Sequence, residues 1–420
     1  MDYLANPPRQ KQEMLEAIGV KRVDELFQDI PESLRANSLD LPDGMSEMMV
    51  SSKLQQLSSK NAVNLTHFLG GGFYDHYVPA AVDAMLRRGE FFTAYTPYQA
   101  EASQGTLQAI YEFQTAMARL TGMEVANASL YDGGTALYEA AMMAIRTTKR
   151  SKIVVDRSVS LIYRTMLRSY TSNLNIELVL LPAFLGPTSR EDIREALDDD
   201  TAAVILQNPS FFGYVDDFSD IVAMAHEVGA LAVVSCYPIS LGILKTPGEM
   251  DADIVTGEGQ SIGLPLSFGG PYLGFMATRK KFLRQMPGRI VGRTSDSNGR
   301  PGFVLTLQTR EQHIRRERAT SNICTNEALC ALGGLVYLSL MGKEGLREVA
   351  QLCANKAQYL SELLDAIPGV KVDRSAPFFN EFVCELPITT GEAISGMIEK
   401  GFAAGFPLER YYPNSGLQNR

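Results

Sequence analysis

Four short apolar runs decide the fold: SKIVV at 151–155, IELVLL at 176–181, AVILQ at 203–207 and ALAVV at 230–234. Between them lie stretches with a helical pattern, Leu161 to Tyr170, Arg190 to Leu197 and Phe218 to Val228. Alternation of apolar, β-rich runs with amphipathic helices is typical of a mostly parallel sheet covered by helices on both faces. The sequence therefore predicts an α/β fold, in which ligands bind at the carboxyl ends of the strands.

The segments before and after this region have different secondary-structure patterns. A chain of 420 residues is expected to form more than one domain. Residues 1–60 have no strand pattern and predict a helical arm with helices at 10–18, 23–30 and 47–59. We expect a large α/β domain over 61–319 and a smaller α+β domain over 320–420. The smaller domain is predicted from helical patterns at 324–340 and 345–367 and from strand patterns at 370–372 and 379–384.

Composition excludes several classes of function. The net charge of -9 and the pI near 5.2 argue against nucleic acid as a partner. No apolar run reaches the roughly 20 residues of a membrane helix, and the N-terminus lacks a secretory signal pattern. The four histidines lack metal-binding spacing, so no metal site is expected. The five scattered cysteines predict reduced, mostly buried thiols in a cytoplasmic protein.

Two polar stretches are candidates for chemistry. The first, FFTAYTPYQAEASQG at 91–105, combines aromatic rings with polar tips, and it predicts either a packed loop or a ligand-facing wall. The second is YDGGTALYE at 131–139, in which Gly133, Gly134 and Thr135 open a predicted helix. Free backbone N–H groups at a helix start bind anions. The same pattern also begins many helices that bind nothing.

These two stretches and three others resemble one family. The matching segments are 91–105, 127–136, 257–274 (GEGQSIGLPLSFGGPYLG), 302–316 (GFVLTLQTREQHIRR) and 319–326 (ATSNICTN). Together they resemble the glycine dehydrogenases (decarboxylating), the P-proteins of the glycine cleavage system, and among them the alpha subunits of the two-subunit enzymes. The resemblance implies the fold of type I pyridoxal-phosphate (PLP) transferases and an α2β2 heterotetramer. It also implies decarboxylation of glycine, with transfer of the aminomethyl group to the lipoyl arm of H-protein. Members of the family continue beyond residues 413–420, so the small domain is expected to be truncated.

The resemblance also identifies what this chain lacks. PLP enzymes of this fold use a lysine for the Schiff base and an acidic residue against the pyridinium nitrogen. The aligned lysine position is Gln260, and Ser235 and Cys236 stand where the acidic residue would end its strand. The implied arrangement is PLP carried by the beta subunit and none covalently bound here. Gly133, Gly134 and Thr135 would then form a vestigial phosphate cradle. Lys245 is expected in a surface loop.

The aromatic stretch then gains a role. By resemblance, Tyr95, Tyr98 and Gln99 are candidates for residues lent to the active site of the beta subunit. The alternative is that they only pack at the interface between subunits. The basic run 310–318 predicts either a solvated helix face or a docking surface for an anionic partner such as H-protein. Two other functions stay open: a stand-alone type I PLP enzyme and a non-catalytic scaffold subunit.

Overall fold

The computed structural model describes residues 6–36, 38–72, 74–182, 185–413 and 415–420. Backbone contacts divide the chain into two compact units, residues 1–64 and residues 65–420. The predicted boundary between a large and a small domain at 319/320 lies inside the second unit and stays a prediction.

The first unit is a set of short helices without a core. Helices α1 (Pro8–Ile18) and α2 (Glu47–Ser58) confirm two of the predicted helices, whereas the third is a 3-10 turn at Val23–Phe27. Gly19 ends α1 in the left-handed conformation, and the hydroxyl of Ser46 caps α2. No described residue from 6 to 64 is buried. Since apolar side chains stabilise a fold only when they leave water, this unit gains little stability by itself.

The second unit contains the remaining strands and helices. Its strands are β1 (Thr66–Phe68), β2 (Val125–Ala126), β3 (Lys152–Val155), β4 (Glu177–Leu180), β5 (Thr201–Asn208), β6 (Leu231–Cys236), β7 (Ile254–Glu258), β8 (Gly274–Thr278), β9 (Ile290–Ser295), β10 (Pro301–Thr306), β11 (Lys371–Val372), β12 (Cys384–Glu385) and β13 (Phe402–Ala404). Its helices are α3 (Ala80–Leu86), α4 (Gly89–Phe92), α5 (Gln104–Thr121), α6 (Gly133–Thr148), α7 (Leu161–Thr171), α8 (Arg190–Ala196), α9 (Ser219–Glu227), α10 (Gln312–Arg315), α11 (Ala328–Asp365) and α12 (Thr390–Glu399).

A seven-stranded sheet organises this unit, in the order β2-β8-β7-β6-β5-β3-β4. The strands from β7 to β4 run parallel, and β8 and β2 are antiparallel additions at one edge. The predicted α/β class and all four predicted strands are confirmed. Successive residues of β5 face opposite sides: Ile205 packs in the same apolar cluster as α6, while Val204 and Leu206 pack with α5 and α9.

The parallel strands all end at one edge of the sheet. Asn208, Cys236 and Glu258 are the last residues of β5, β6 and β7 and therefore lie near one another. Helix α6 begins at Gly133 and packs across β5, β6 and β7. This edge is where the sequence predicts a ligand site.

The C-terminal part confirms the two predicted helices but departs from prediction in one place. The range of α11 contains both helices, and they are separated by the non-helical residue Gly342, where φ is 59°. The predicted strand over 379–384 is wrong, because only Cys384–Glu385 pairs, with β11. Residues 378 and 379 instead contact the turn at 213–214. By length and composition alone α11 is apolar enough to cross a membrane, but it packs against α3 and α5.

Replacing Phe275 by alanine tests how strongly the sheet core stabilises the fold. Phe275 lies on β8 and is 1% exposed, so Phe275→Ala should lower the free energy of unfolding by about 3–5 kcal/mol. Phe268→Ala is the matched control, since Phe268 is 98% exposed and its loss should change the free energy by less than about 0.5 kcal/mol. Urea unfolding followed by circular dichroism measures both, and equal effects would contradict this packing.

Candidate functional site

A small pocket lies at the carboxyl edge of the sheet. It holds about 60 Å³ and is lined by residues at or just beyond the ends of β5, β6 and β7, among them Gln207, Ser235, Cys236, Glu258 and Gln260. Sites that bind cofactors and drug-sized ligands hold roughly 300–1,000 Å³. A pocket does lie at the predicted edge, but its space is too small for a cofactor, and the site itself stays a prediction.

Gln260 lies in the wall of this pocket, as the alignment of its motif predicts. The side chain is 4% exposed, and its Nε2 donates a 2.6 Å hydrogen bond to the backbone carbonyl of Leu264. An amide cannot form an imine, and this amide is held by its own loop. At the end of β6, Ser235 and Cys236 are buried and uncharged in their ordinary states, and burial raises the pKa of the Cys236 thiol. No lysine lines the pocket within the described chain.

Lys245 is remote from this chemistry. Its Nζ lies 2.8 Å from a carboxylate oxygen of Asp217 and 2.9 Å from the hydroxyl of Ser219. The side chain is 42% exposed. The expectation of a surface lysine is confirmed.

The predicted phosphate cradle exists as a helix start, but side chains of the protein occupy its donors. Asp132 is the N-cap of α6, and its carboxylate accepts hydrogen bonds of 2.8 Å from the backbone N–H of Thr135 and 2.7 Å from the Thr135 hydroxyl. The backbone N–H of Gly133 donates to the carboxylate of Glu258 at 2.9 Å. A Cβ atom on Gly133 or on Gly134 would lie within 2.5 Å of the Tyr163 hydroxyl or the Met166 sulfur, respectively.

The carboxylate of Glu258 collects three backbone donors. Besides Gly133, the N–H groups of Gln260 and Leu273 each donate to it at 2.9 Å. Burial raises the pKa of Glu258 to about 6, although the three hydrogen bonds oppose this shift. Burial raises the pKa of the neighbouring Tyr163 hydroxyl, and the negative charge of Glu258 adds to this effect.

The residues at this edge therefore do not fit PLP. A cradle for the cofactor phosphate needs free donors, and here two carboxylates take them. A negative phosphate placed beside Asp132 and Glu258 would also be repelled by both. The lysine and the pyridinium partner are absent from the same pocket.

Aromatic side chains fill much of the remaining space. The rings of Tyr74 and Tyr237 lie 4.7 Å apart, and Tyr237 contacts Phe379 at 6.1 Å between ring centres. The hydroxyl of Tyr74 donates to Glu381, which also accepts from the N–H of Gly71. His76 is hydrogen-bonded to the Tyr237 hydroxyl. Burial raises the pKa of Glu381 and lowers the pKa of His76.

The aromatic loop lies apart from this pocket and is exposed. Tyr95 is 78% exposed, Tyr98 is 48% exposed and Gln99 is also exposed. Tyr98 is held on its own chain: its hydroxyl lies 3.4 Å from Arg289, and its ring meets the edge of His313 at 5.2 Å. Their position in this chain does not test whether these residues contribute to the active site of a beta subunit, so that role stays a prediction.

The basic run is not one helix. It consists of two 3-10 turns and the short helix α10, and the chain reverses at Arg316, whose φ of 54° is left-handed. Arg310 points inward and donates to the carbonyls of Gly288 and Leu307. Arg315 and Arg318 are exposed. Residues 313–318 are solvated and contain an Arg318–Glu317 ion pair, as one alternative predicts, but the run does not form a single helix face. Docking of an anionic partner stays a prediction.

Cys324 also differs from the expectation of mostly buried thiols. It is exposed, while Cys236 and Cys330 are buried, and the other two are half-buried. The preceding Ile323 takes the buried position, and the backbone N–H of Cys324 donates to the Tyr131 hydroxyl at 3.0 Å.

Comparisons with known proteins agree on one family. Residues 1–414 match the family described as glycine cleavage system P-protein. The chain belongs to this family. A probable glycine dehydrogenase (decarboxylating) subunit 1 of Maridesulfovibrio salexigens is 56% identical over 419 residues, covering 100% of this chain and 94% of the relative. The corresponding subunit of Geotalea uraniireducens is 57% identical with the same coverage.

One solved structure gives the same result for this P-protein family member, and a second shares its fold. A crystal structure of glycine decarboxylase (P-protein) in inhibitor-bound form is 45% identical, with a TM-score of 0.91 over 96% of this chain and 91% of that chain. A sphingosine-1-phosphate lyase of Burkholderia pseudomallei is 13% identical, with a TM-score of 0.61 over 88% of this chain and 84% of that chain. The second likeness concerns the fold alone. The predicted type I PLP-transferase fold is confirmed.

Sequence reasoning missed the residue that occupies the cradle. Glu258 stands inside the quoted stretch 257–274, two residues before Gln260. The sequence pattern that could have identified Glu258 is a single carboxylate between two glycines at the end of a predicted strand. Tyr74, Tyr237 and Glu381 were missed as well, because they come together only in three dimensions.

The raised pKa of Glu258 predicts a pH-dependent stability. A carboxyl group whose pKa is higher in the folded chain stabilises the fold below its unfolded pKa, and that contribution is lost as pH rises through the folded value. Between pH 4.5 and pH 6.5 the free energy of unfolding should fall by about 2 kcal/mol because Glu258 loses its proton. In Glu258→Gln this part of the dependence should vanish. Urea unfolding at several pH values measures this dependence. If the free energy of unfolding changed with pH equally in the wild-type chain and in Glu258→Gln, the raised pKa of Glu258 would be contradicted.

Proposed function

We propose that this chain is the alpha subunit of a two-subunit glycine dehydrogenase (decarboxylating), inactive by itself and active with a beta subunit. One observation carries the proposal. The site in which this fold normally holds its cofactor has Gln260 in its wall and Glu258 in its cradle. The relatives that match the chain over its full length are named subunit 1 of that enzyme, and such a name implies a second subunit.

The reaction follows from the family. Glycine loses carbon dioxide, and its aminomethyl group passes to the lipoyl arm of H-protein. PLP supplies the electron sink for such chemistry when bound. Since the residues of this chain do not fit PLP, we assign the cofactor to the beta subunit and propose an α2β2 assembly in the cytoplasm. The five free cysteines are consistent with a reducing compartment.

The N-terminal unit supports a subunit role. Its described residues expose large apolar side chains along both helices, including Met14, Ile18, Met48, Leu54 and Leu57. Exposed apolar surface of this extent is typical of protein interfaces. We propose that this arm packs against the beta subunit.

The aromatic loop is the proposed contribution to catalysis. Among the described residues, none forms a hydrogen bond with the hydroxyl of Tyr95. The side chain of Tyr95 is mostly exposed to solvent. Tyr98 is fixed between Arg289 and His313 and would shape the loop. We propose that Tyr95 and Gln99 reach the substrate side of the partner's site, where their polar tips bind the glycine carboxylate.

The exposed arginines at 315–318 fit a different partner. H-protein is the acidic carrier that must approach the active site, and a basic patch accelerates such an encounter. We propose that Arg315, Arg316 and Arg318 steer it. A scaffold without catalytic residues is the competing function, and a stand-alone PLP enzyme is disfavoured by Gln260.

Reconstitution tests the subunit assignment. Exchange of labelled bicarbonate into glycine should be absent for the chain alone with PLP, absent or weak for the beta subunit alone and restored when both are mixed with H-protein. The mixture should elute as one complex in size-exclusion chromatography with light scattering. Exchange by this chain alone would refute the proposal.

Substituting Tyr95 separates a catalytic loop from a scaffold. Tyr95→Phe in the complex should lower kcat/KM for glycine roughly 10- to 100-fold, the cost of one hydrogen bond to a charged group. Tyr77→Phe is the matched control, since Tyr77 is 86% exposed and lies outside the loop. Complex formation should be unchanged in both variants. Full activity of an assembled Tyr95→Phe complex would favour the scaffold.

A further inference from the structure

Backbone donors from three segments of the chain, one of them 125 residues away in sequence, surround the carboxylate of Glu258. Gly133 is the first residue of α6, Gln260 follows β7, and Leu273 precedes β8. Each donates its backbone N–H to Glu258 over 2.9 Å. The carboxylate thus joins the start of a helix to two neighbouring strands of the sheet.

The charge of Glu258 is stabilised by backbone donors, which offset the cost of its burial only in part. Among the described residues, no lysine, arginine or histidine forms an ion pair with it. Its surroundings are the N–H groups and the positive end of the α6 dipole, with Asp132 beside it. Convergent backbone donors at a helix start are the usual setting for a bound phosphate or sulfate.

The packing around the cradle is tight. A Cβ atom on Gly133 would lie 3.0 Å from the Cβ of Glu258, and a Cβ atom on Gly274 would lie 2.4 Å from the carbonyl oxygen of Asp132. The backbone N–H of Leu130 donates to the carbonyl of Gly274 at 2.8 Å. These contacts place the loop before α6 directly against β8, so a free anion could enter only if Glu258 left.

We propose that Glu258 is an internal replacement for the bound anion of this fold, which completes the helix start of α6 and closes the cradle to phosphate-bearing ligands. This inference rests on contacts within the chain and does not depend on the proposed partner. If it is correct, the loss of cofactor binding involves more than the exchange of a lysine for Gln260. A carboxylate has also taken the place of the phosphate.

Removing the Glu258 carboxylate should expose a latent anion site made of the N–H groups of Gly133, Gln260 and Leu273, whereas Asp132 accepts from Thr135. Glu258→Ala leaves three N–H donors without an acceptor, so its melting temperature should fall by several degrees in a buffer without multivalent anions. Adding inorganic phosphate should raise that temperature in a saturable manner, because a ligand that binds only the folded state stabilises it. In the wild-type chain, phosphate should raise the melting temperature no more than sodium chloride does at equal ionic strength.

Glu381→Ala is the matched control. Glu381 is a buried carboxylate that also accepts a backbone N–H, from Gly71, but it lies at no helix start. Its loss should destabilise the fold without any rescue by phosphate. Equal rescue of both variants, or equal stabilisation of the wild-type chain, would overturn the proposal.

A second variant covers the case in which Glu258→Ala does not fold. Glu258→Gln keeps the size of the side chain but loses the charge and one acceptor oxygen. Hydrogen–deuterium exchange of the peptides that contain Gly133, Gln260 and Leu273 should then become at least about tenfold faster than in the wild-type chain. Unchanged protection at all three positions would overturn the proposal, whatever the activity of the assembled enzyme.

Discussion

The three hydrogen bonds to Glu258 are the constraint on which the candidate site depends. They fix the start of α6 against the ends of β7 and β8, which is the edge where this fold places its ligands. Because one side chain satisfies these donors, the helix start needs no bound anion to be complete. The small pocket beside it is lined by Glu258 and by Tyr74 and Tyr237, whose ring centres lie 4.7 Å apart.

The proposed closure of the site accounts for how a chain with a PLP-transferase fold would serve an enzyme whose cofactor is bound by its partner. The sheet and helices still form a stable body of buried apolar residues, and this body presents two exposed regions. One is the aromatic loop around Tyr95, and the other is the turn with Arg315 and Arg318. Both are polar or aromatic surfaces of the kind found at functional interfaces. The proposed division of labour assigns the chemistry to the beta subunit and part of its surroundings to this chain.

Local sequence patterns predicted the body of the fold and part of the site. Strands β3, β4, β5 and β6 follow from short runs of Val, Ile and Leu, because buried parallel strands are apolar on both faces. Gln260 followed from its motif, and the pocket contains it. The role of Glu258 could not be predicted, because its partner Gly133 is 125 residues away and a carboxylate gives no sign of which N–H groups will surround it. The run 310–318 has a helical pattern, but the backbone of Arg316 has a positive φ of 54°, which the charge pattern does not predict.

The most direct test of this account is the amount of PLP in the assembled enzyme. Co-purified alpha and beta subunits can be denatured, and the released cofactor can be counted by absorbance against the mass of each chain. The account predicts one PLP per αβ pair and none on the alpha chain purified alone and dialysed against the cofactor. Two PLP per pair, or stoichiometric PLP on the isolated alpha chain, would contradict a cradle closed by Glu258.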